Sequence, residues 1–117
     1  APEIIENMAD KPIVFALANP VPEIDPALAK KASAAVIATG RSNMPNQINN
    51  VLAFPGIFRA VIQGKLPKIT QAMKEAAAHA LAECVQNPNA ENIIPTPFHP
   101  GLADIVAKAV LTAQIKT

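Results

Sequence analysis

No tryptophan and no tyrosine occur in this chain, and its four aromatic residues are all phenylalanine. Proteins that hold single-stranded nucleic acid by base stacking rely on such rings, so that class of function is disfavoured. Basic residues number 10 against 9 acidic ones, for a formal net charge of +1, and they are scattered. Neither nucleic acid nor an anionic membrane surface is therefore an expected partner. The single cysteine, Cys84, excludes an internal disulfide and fits a reducing cytosol. No apolar run approaches the roughly 20 residues of a membrane span, and the amino terminus lacks the charged-then-apolar plan of a secretory signal. A cytoplasmic protein without a membrane segment is expected. Glycines stand only at Gly40, Gly56, Gly64 and Gly101, which forms neither G-x-G-x-x-G nor a P-loop. If a nucleotide binds, its phosphates are cradled by residues outside this chain.

What remains is aliphatic: half of the 117 residues are hydrophobic, and alanine carries much of that share. Residues 13–20, IVFALANP, run apolar from two β-branched side chains to a carboxamide and a proline. A short run without polar alternation predicts a strand covered on both faces, the habit of a parallel sheet in an α/β domain. Asn19 is then the first residue beyond the strand's carboxyl end, where open parallel sheets bind their ligands. Pro20 restricts Asn19 to extended backbone, which fixes the direction of its side chain. A second run, AAVIA at residues 34–38, ends at Thr39 and Gly40. Between the runs, Asp25 and Pro26 predict an N-cap and first turn of a short helix reaching about Ala32. A connection that contains a helix is too long for a hairpin, so the strands are expected to be parallel. Asn19 and Thr39 would leave the sheet at one edge.

Elsewhere the pattern is helical. Residues 1–9 suit a short helix that is stable only when docked. Residues 41–50, RSNMPNQINN, hold four asparagines and cannot build a core, so they predict a surface loop. Asn49 and Asn50 look like the cap of a helix over residues 51–63, kinked or broken by Pro55 and Gly56. The clearest periodicity spans residues 69–85, with Ile69, Ala72, Met73, Ala76, Ala77, Ala80, Leu81 and Cys84 on one stripe. Ile93 and Ile94 suggest a short extended segment. A last helix, from residue 100 or 101 to residue 115, shows Leu102, Ile105, Val106, Ala109, Val110 and Ala113 on one face. His79 follows Glu75 by four residues and reads as a solvated pair, Cys84 as a small core residue, and Asp104 as the partner of Lys108. Arg41 and Ser42 either touch a cofactor phosphate or ribose or simply order the loop. A two-stranded parallel sheet is not expected to stand alone, so the sequence is expected to be part of a larger domain.

FALANPVPEIDP, ATGRSNMPNQINN, LAFPGIFR and NIIPTPFHP together resemble malic enzyme, over essentially the whole chain and with spacing intact. The match is to the carboxyl-terminal half of its NAD-binding domain in the compact bacterial form. The resemblance implies a Rossmann-like, doubly wound α/β domain, of which about two core strands and their helices lie here, the upstream part being absent. It implies oxidative decarboxylation of malate to pyruvate and CO2 with NAD or NADP and Mg or Mn. By motif match Asn19 and Asn50 reach the substrate, beside the nicotinamide ribose, and Ala18, Asn19, Thr39, Gly40 and Asn49 are the cofactor-side candidates. The family's general base lysine, general acid tyrosine and metal-binding carboxylates match no position here, so the segment alone is expected to be inactive. Malate, the rest of the enzyme chain and further copies in a homo-oligomer are the implied partners.

Two positions depart from the family pattern. Asn43 replaces an acidic residue after Arg-Ser, and no role is carried over to it. His99 stands where aspartate is common in the Pro-Phe-x-Pro loop, a poorer helix cap by about 1 kcal/mol. The alternative function is a non-catalytic regulatory or oligomerisation module that keeps the fold without the chemistry.

Overall fold

The computed structural model describes residues 1–116, with side chains through residue 114, and divides them into two compact units. The first comprises Ala1–Ile48 and Asn87–Ile93, the second Asn49–Gln86 and the chain from Ile94 onward.

In the first unit the order is α1 (Pro2–Glu6), β1 (Ile13–Ala16), α2 (Pro26–Lys31) and β2 (Val36–Thr39). The strands pair in parallel, Ile13 against Val36 through Ala16 against Thr39. The expected crossover is present: the Asp25 carboxylate accepts from Ala27 N–H at 2.8 Å, Pro26 opens α2, and Lys30 and Lys31 close it. Loss of such a cap costs about 1 kcal/mol, and so short a helix also depends on docking. Pro26 and Ala29 are buried, and Ala29 packs with Ile5, Ala32 and Ala34 over Val14, Ile24 and Ile37.

Both strands are shorter than the apolar runs that predict them. β1 stops at Ala16 because the Ala18 N–H turns away to the Glu23 carboxylate at 2.9 Å. β2 starts at Val36 because Ala34 N–H is bound by Ala29 O and Ala35 N–H by Pro12 O. Within this chain β1 is covered on one face only, in keeping with the expectation that two such strands belong to a larger domain. Ala16 is buried, but Ile13 and Phe15 on the opposite face are 62% and 51% exposed. The helices of this unit lie on the Val14 face. Ile93 and Ile94 form no strand, the 87–93 segment instead making an antiparallel bridge between Asn89 and Asn92.

The second unit is helical. A 3-10 turn, Asn50–Leu52, precedes α3 (Phe54–Gly64), followed by α4 (Gln71–Glu83) and α5 (Leu102–Lys116). The helix anticipated from residue 51 is broken, as Pro55 and Gly56 suggested: the 3-10 turn ends before Ala53 and α3 opens with proline in its first turn. α4 begins two residues later than its stripe implied, because the Thr70 hydroxyl accepts from Met73 N–H at 3.2 Å and caps it. α5 packs against both α3 and α4. Its buried arc, Leu102, Val106, Ala107 and Val110, is therefore turned relative to the expected stripe, leaving Ile105 partly exposed. These residues form one core with Leu52, Ile57, Ala60, Met73, Ala77 and Leu81. Asp104 pairs with Arg59 of α3 rather than with Lys108, and Glu75 accepts from Gln71 rather than from His79.

The approach of α3 to α5 is set by Gly56. A Cβ there would lie 2.5 Å from Val106 Cβ and 2.9 Å from the Ala103 carbonyl, neither of which is the loose end of a side chain. Alanine in a helix gains at most about 1 kcal/mol over glycine, whereas overpacking costs about 1–3 kcal/mol. Gly56→Ala is accordingly expected to destabilise the protein by about 1–2 kcal/mol in chemical denaturation. A rise in stability would refute the close packing.

Candidate functional site

Ala16 and Thr39 are register partners, so the two parallel strands run out together. Beyond β1, residues 18–23 fold into a tight turn, closed by the hydrogen bond from Ala18 N–H to Glu23 Oε1 and containing a cis Asn19–Pro20 peptide. That N–H, together with Glu23's own backbone N–H, holds the Glu23 carboxyl below the usual glutamate range. Asn19 is exposed, and its carboxamide lies over Gly40. A Cβ at position 40 would stand 2.7 Å from Asn19 Oδ1, so the absence of a side chain there admits the amide. The strand ends thus bring Ala18, Asn19, Thr39 and Gly40 to one rim of the first unit.

Thr39 contributes to that rim through its backbone. Its side chain is buried, and its hydroxyl accepts from Arg41 N–H at 3.2 Å while its carbonyl accepts from Ile48 N–H at 2.8 Å. Gly40 O accepts from Gln47 Nε2 at 3.5 Å. Arg41 and Ser42 are exposed, Arg41 ordering the loop through this N–H.

Asn49 and Asn50 belong to the second unit. The two asparagines divide the work: Asn49 Oδ1 accepts from Val51 N–H at 3.1 Å and caps the 3-10 turn, while Asn50 opens the turn with an exposed side chain. Among the described residues, neither the Asn19 nor the Asn50 carboxamide is engaged in a turn cap.

The residue that sequence reasoning missed is Asn46. It is only 7% exposed, its φ is 56°, and all of its amide groups are used. Nδ2 donates to Ile37 O at 3.0 Å and to Ala90 O at 2.8 Å, and Oδ1 accepts from Ile93 N–H at 2.9 Å. The only available signal was an asparagine in a turn-rich stretch, since asparagine tolerates the left-handed backbone better than most residues.

Cys84 is partly buried against the second core, with Sγ donating to Ala80 O at 3.3 Å, and burial followed by Glu83 pushes its thiol up, away from a reactive thiolate. His79 is exposed and His99 half-buried. Among the described residues no three of the His, Cys, Asp and Glu side chains are placed to hold a metal ion.

Parallel strands joined through a helix, with exposed polar groups gathered where the strands end, define part of a nucleotide-binding α/β domain. Residues 1–114 match the family described as "Malic enzyme, NAD binding domain". The bifunctional malic/malolactic enzyme of Bacillus subtilis is 49% identical over 98% of this chain and 28% of its own length. The NAD-dependent malic enzyme of Geobacillus stearothermophilus is 49% identical over 98% of this chain and 24% of its own. The crystal structure of malic enzyme from Pyrococcus horikoshii superposes with a TM-score of 0.94 at 52% identity, over 98% of this chain and 27% of that one. The chain belongs to the malic enzyme NAD-binding domain family and spans about a quarter of the length of these relatives.

A pH dependence follows from the turn at the rim. A carboxylate held below its ordinary value supports the turn at pH values above the glutamate range, and that support is lost as acid titrates it through its lowered value. Hydrogen exchange at the Ala18 amide should show protection at pH 6 that fades as the pH falls below the ordinary glutamate range. In Glu23→Gln the protection should no longer change across that interval, and an unaltered acid response would detach Glu23 from the turn.

Proposed function

We propose that this chain forms part of the nicotinamide and malate pocket of a malic enzyme. The complete protein oxidises and decarboxylates malate to pyruvate and CO2 with NAD or NADP and a divalent metal, Mg or Mn. The observation that carries the reading is the Asn19 carboxamide seated over Gly40 at the carboxyl end of the parallel pair, with its polar atoms left for a ligand. The Asn50 side chain, relieved of capping by Asn49, is likewise left for a ligand.

Malate is a dianion carrying one hydroxyl. A carboxamide can donate N–H to a carboxylate and accept from a hydroxyl, and being neutral it does not compete with a cation for the substrate. On this reading Asn19 and Asn50 orient malate. Ala18, Asn19, Thr39, Gly40 and Asn49 shape the cofactor side, with Gly40 keeping the rim thin enough for close approach. The dinucleotide, when bound, supplies the acceptor for the hydride from the substrate carbinol carbon. The proton-transfer groups and metal carboxylates belong to segments outside these residues, and the remainder of the enzyme, assembled as a cytoplasmic homo-oligomer, is the partner that completes the site.

Hydrogen bonds to a charged group are worth about 1.5–3 kcal/mol, or roughly 10- to 100-fold in rate. In the complete enzyme, Asn50→Ala should therefore lower kcat/KM for malate about 10- to 100-fold at unchanged melting temperature, and an unchanged kcat/KM would remove Asn50 from the site. Gly40→Ala separates binding from stability. The atom it displaces is the free end of the Asn19 side chain, so the fold should lose under about 1 kcal/mol while the KM for the dinucleotide rises about tenfold or more. A normal KM with a well-folded variant would argue against a cofactor at this rim.

A further inference from the structure

The first unit contains a cavity that borders the rim at Thr39. It is about 190 Å³ in volume and lies between α2, β2 and the loops at residues 44–45 and 90–91. Ala27, Ala35, Ile37, Met44 and Pro45 make its wall largely apolar. A well-formed apolar cavity of roughly 150 Å³ is enough for a benzene molecule, so this one has room for a branched hydrocarbon group. Its shape is not left to loose loops. Asn46 follows Met44 and Pro45 in the chain and holds both Ile37 and Ala90, two of the residues that line the cavity.

The polar part of the lining carries one charge of each sign. Lys30 Nζ and Glu91 Oε1 meet at 2.9 Å, with side chains 68% and 55% exposed. An ion pair so open to water is worth only about 0–1 kcal/mol, so parting it costs little. A purely anionic ligand would gain Lys30 but meet Glu91, and a purely cationic one would do the reverse. A molecule with an apolar group and adjacent ammonium and carboxylate answers both charges and fills the wall.

We propose that this cavity is a second small-molecule site, for an apolar α-amino acid or similar zwitterion. The carboxylate faces Lys30, the ammonium faces Glu91, and the hydrocarbon side chain enters between α2 and β2. The proposal uses no residue of the malate reading except Thr39, whose buried side chain borders the cavity.

The test is ligand-observed NMR and calorimetry on the complete protein saturated with dinucleotide and malate, with L-leucine as the probe. Saturable binding is expected. It should weaken at least tenfold in Lys30→Gln and in Glu91→Gln, which alter exposed side chains and leave the core intact. Ala35→Leu, at an exposed position of the wall, should abolish it by filling the space. Isovalerate and isoamylamine, each lacking one of the two charges, should bind at least tenfold more weakly than leucine. Absence of saturable leucine binding would overturn the proposal, as would binding indifferent to all three substitutions. Isovalerate binding as tightly as leucine would make this an anion site and overturn the zwitterion assignment.

Discussion

One buried carboxamide holds the first unit together. Asn46 joins β2 to a segment far along the chain, binding Ile37 O, Ala90 O and Ile93 N–H. Two four-residue strands exchange too few hydrogen bonds to be stable as an isolated pair. The asparagine adds three bonds, and removing it would orphan main-chain groups at about 1–3 kcal/mol apiece where they are buried. The Lys30–Glu91 pair reaches the same segment, but as an exposed contact it contributes far less. Attachment of residues 87–93 to the strand unit is thus chiefly an amide effect. The isolated bridge between Thr39 and Gln47 follows from it, because the chain on either side of Asn46 is kept alongside β2.

The helical unit solves a different problem, how to pack tightly with small side chains. Alanine and glycine let backbones approach, so Ala60, Ala77 and Ala107 contribute by proximity where larger residues would contribute bulk. Met73, Val106 and Val110 then fill what is left and are the largest side chains wholly withdrawn from water there. Such a core depends on fit. A single added methyl at Gly56 meets Val106 and the α5 backbone before it meets anything that can swing aside.

Much of this was legible from residue order. The apolar runs, the Asp25–Pro26 cap and the helix between the runs required a parallel pair, and the periodicities of α4 and α5 required two packed helices. The strand limits were not legible, because β1 ends where a glutamate five residues beyond Ala18 captures its amide, and no local propensity shows that. The one-sided cover of β1 accords with the residue order: an unbroken apolar run states that both faces avoid water without stating which neighbour supplies the cover, and two strands are too few to supply it. In the asparagine-rich loop, residue order marked positions 49 and 50 together as a cap region, and the geometry gives the cap to Asn49. Asn46 looked like another loop asparagine, since its three partners are nine or more residues away. Asp104 was assigned to Lys108 by helical spacing, but the neighbouring helix offered Arg59, and tertiary proximity prevailed.

The bare face of β1 has a consequence for the protein in solution. Ile13 and Phe15 flank a strand that, among the described residues, has β2 as its sole neighbour, so a row of main-chain donors and acceptors stands open beside uncovered hydrocarbon. Such a margin is a template for adding another strand, and it does not discriminate between an intended neighbour and a stranger. Handled apart from whatever shelters that margin, the polypeptide would associate in a concentration-dependent way through sheet extension, and a lysine on the Phe15 side of the strand would be the natural brake.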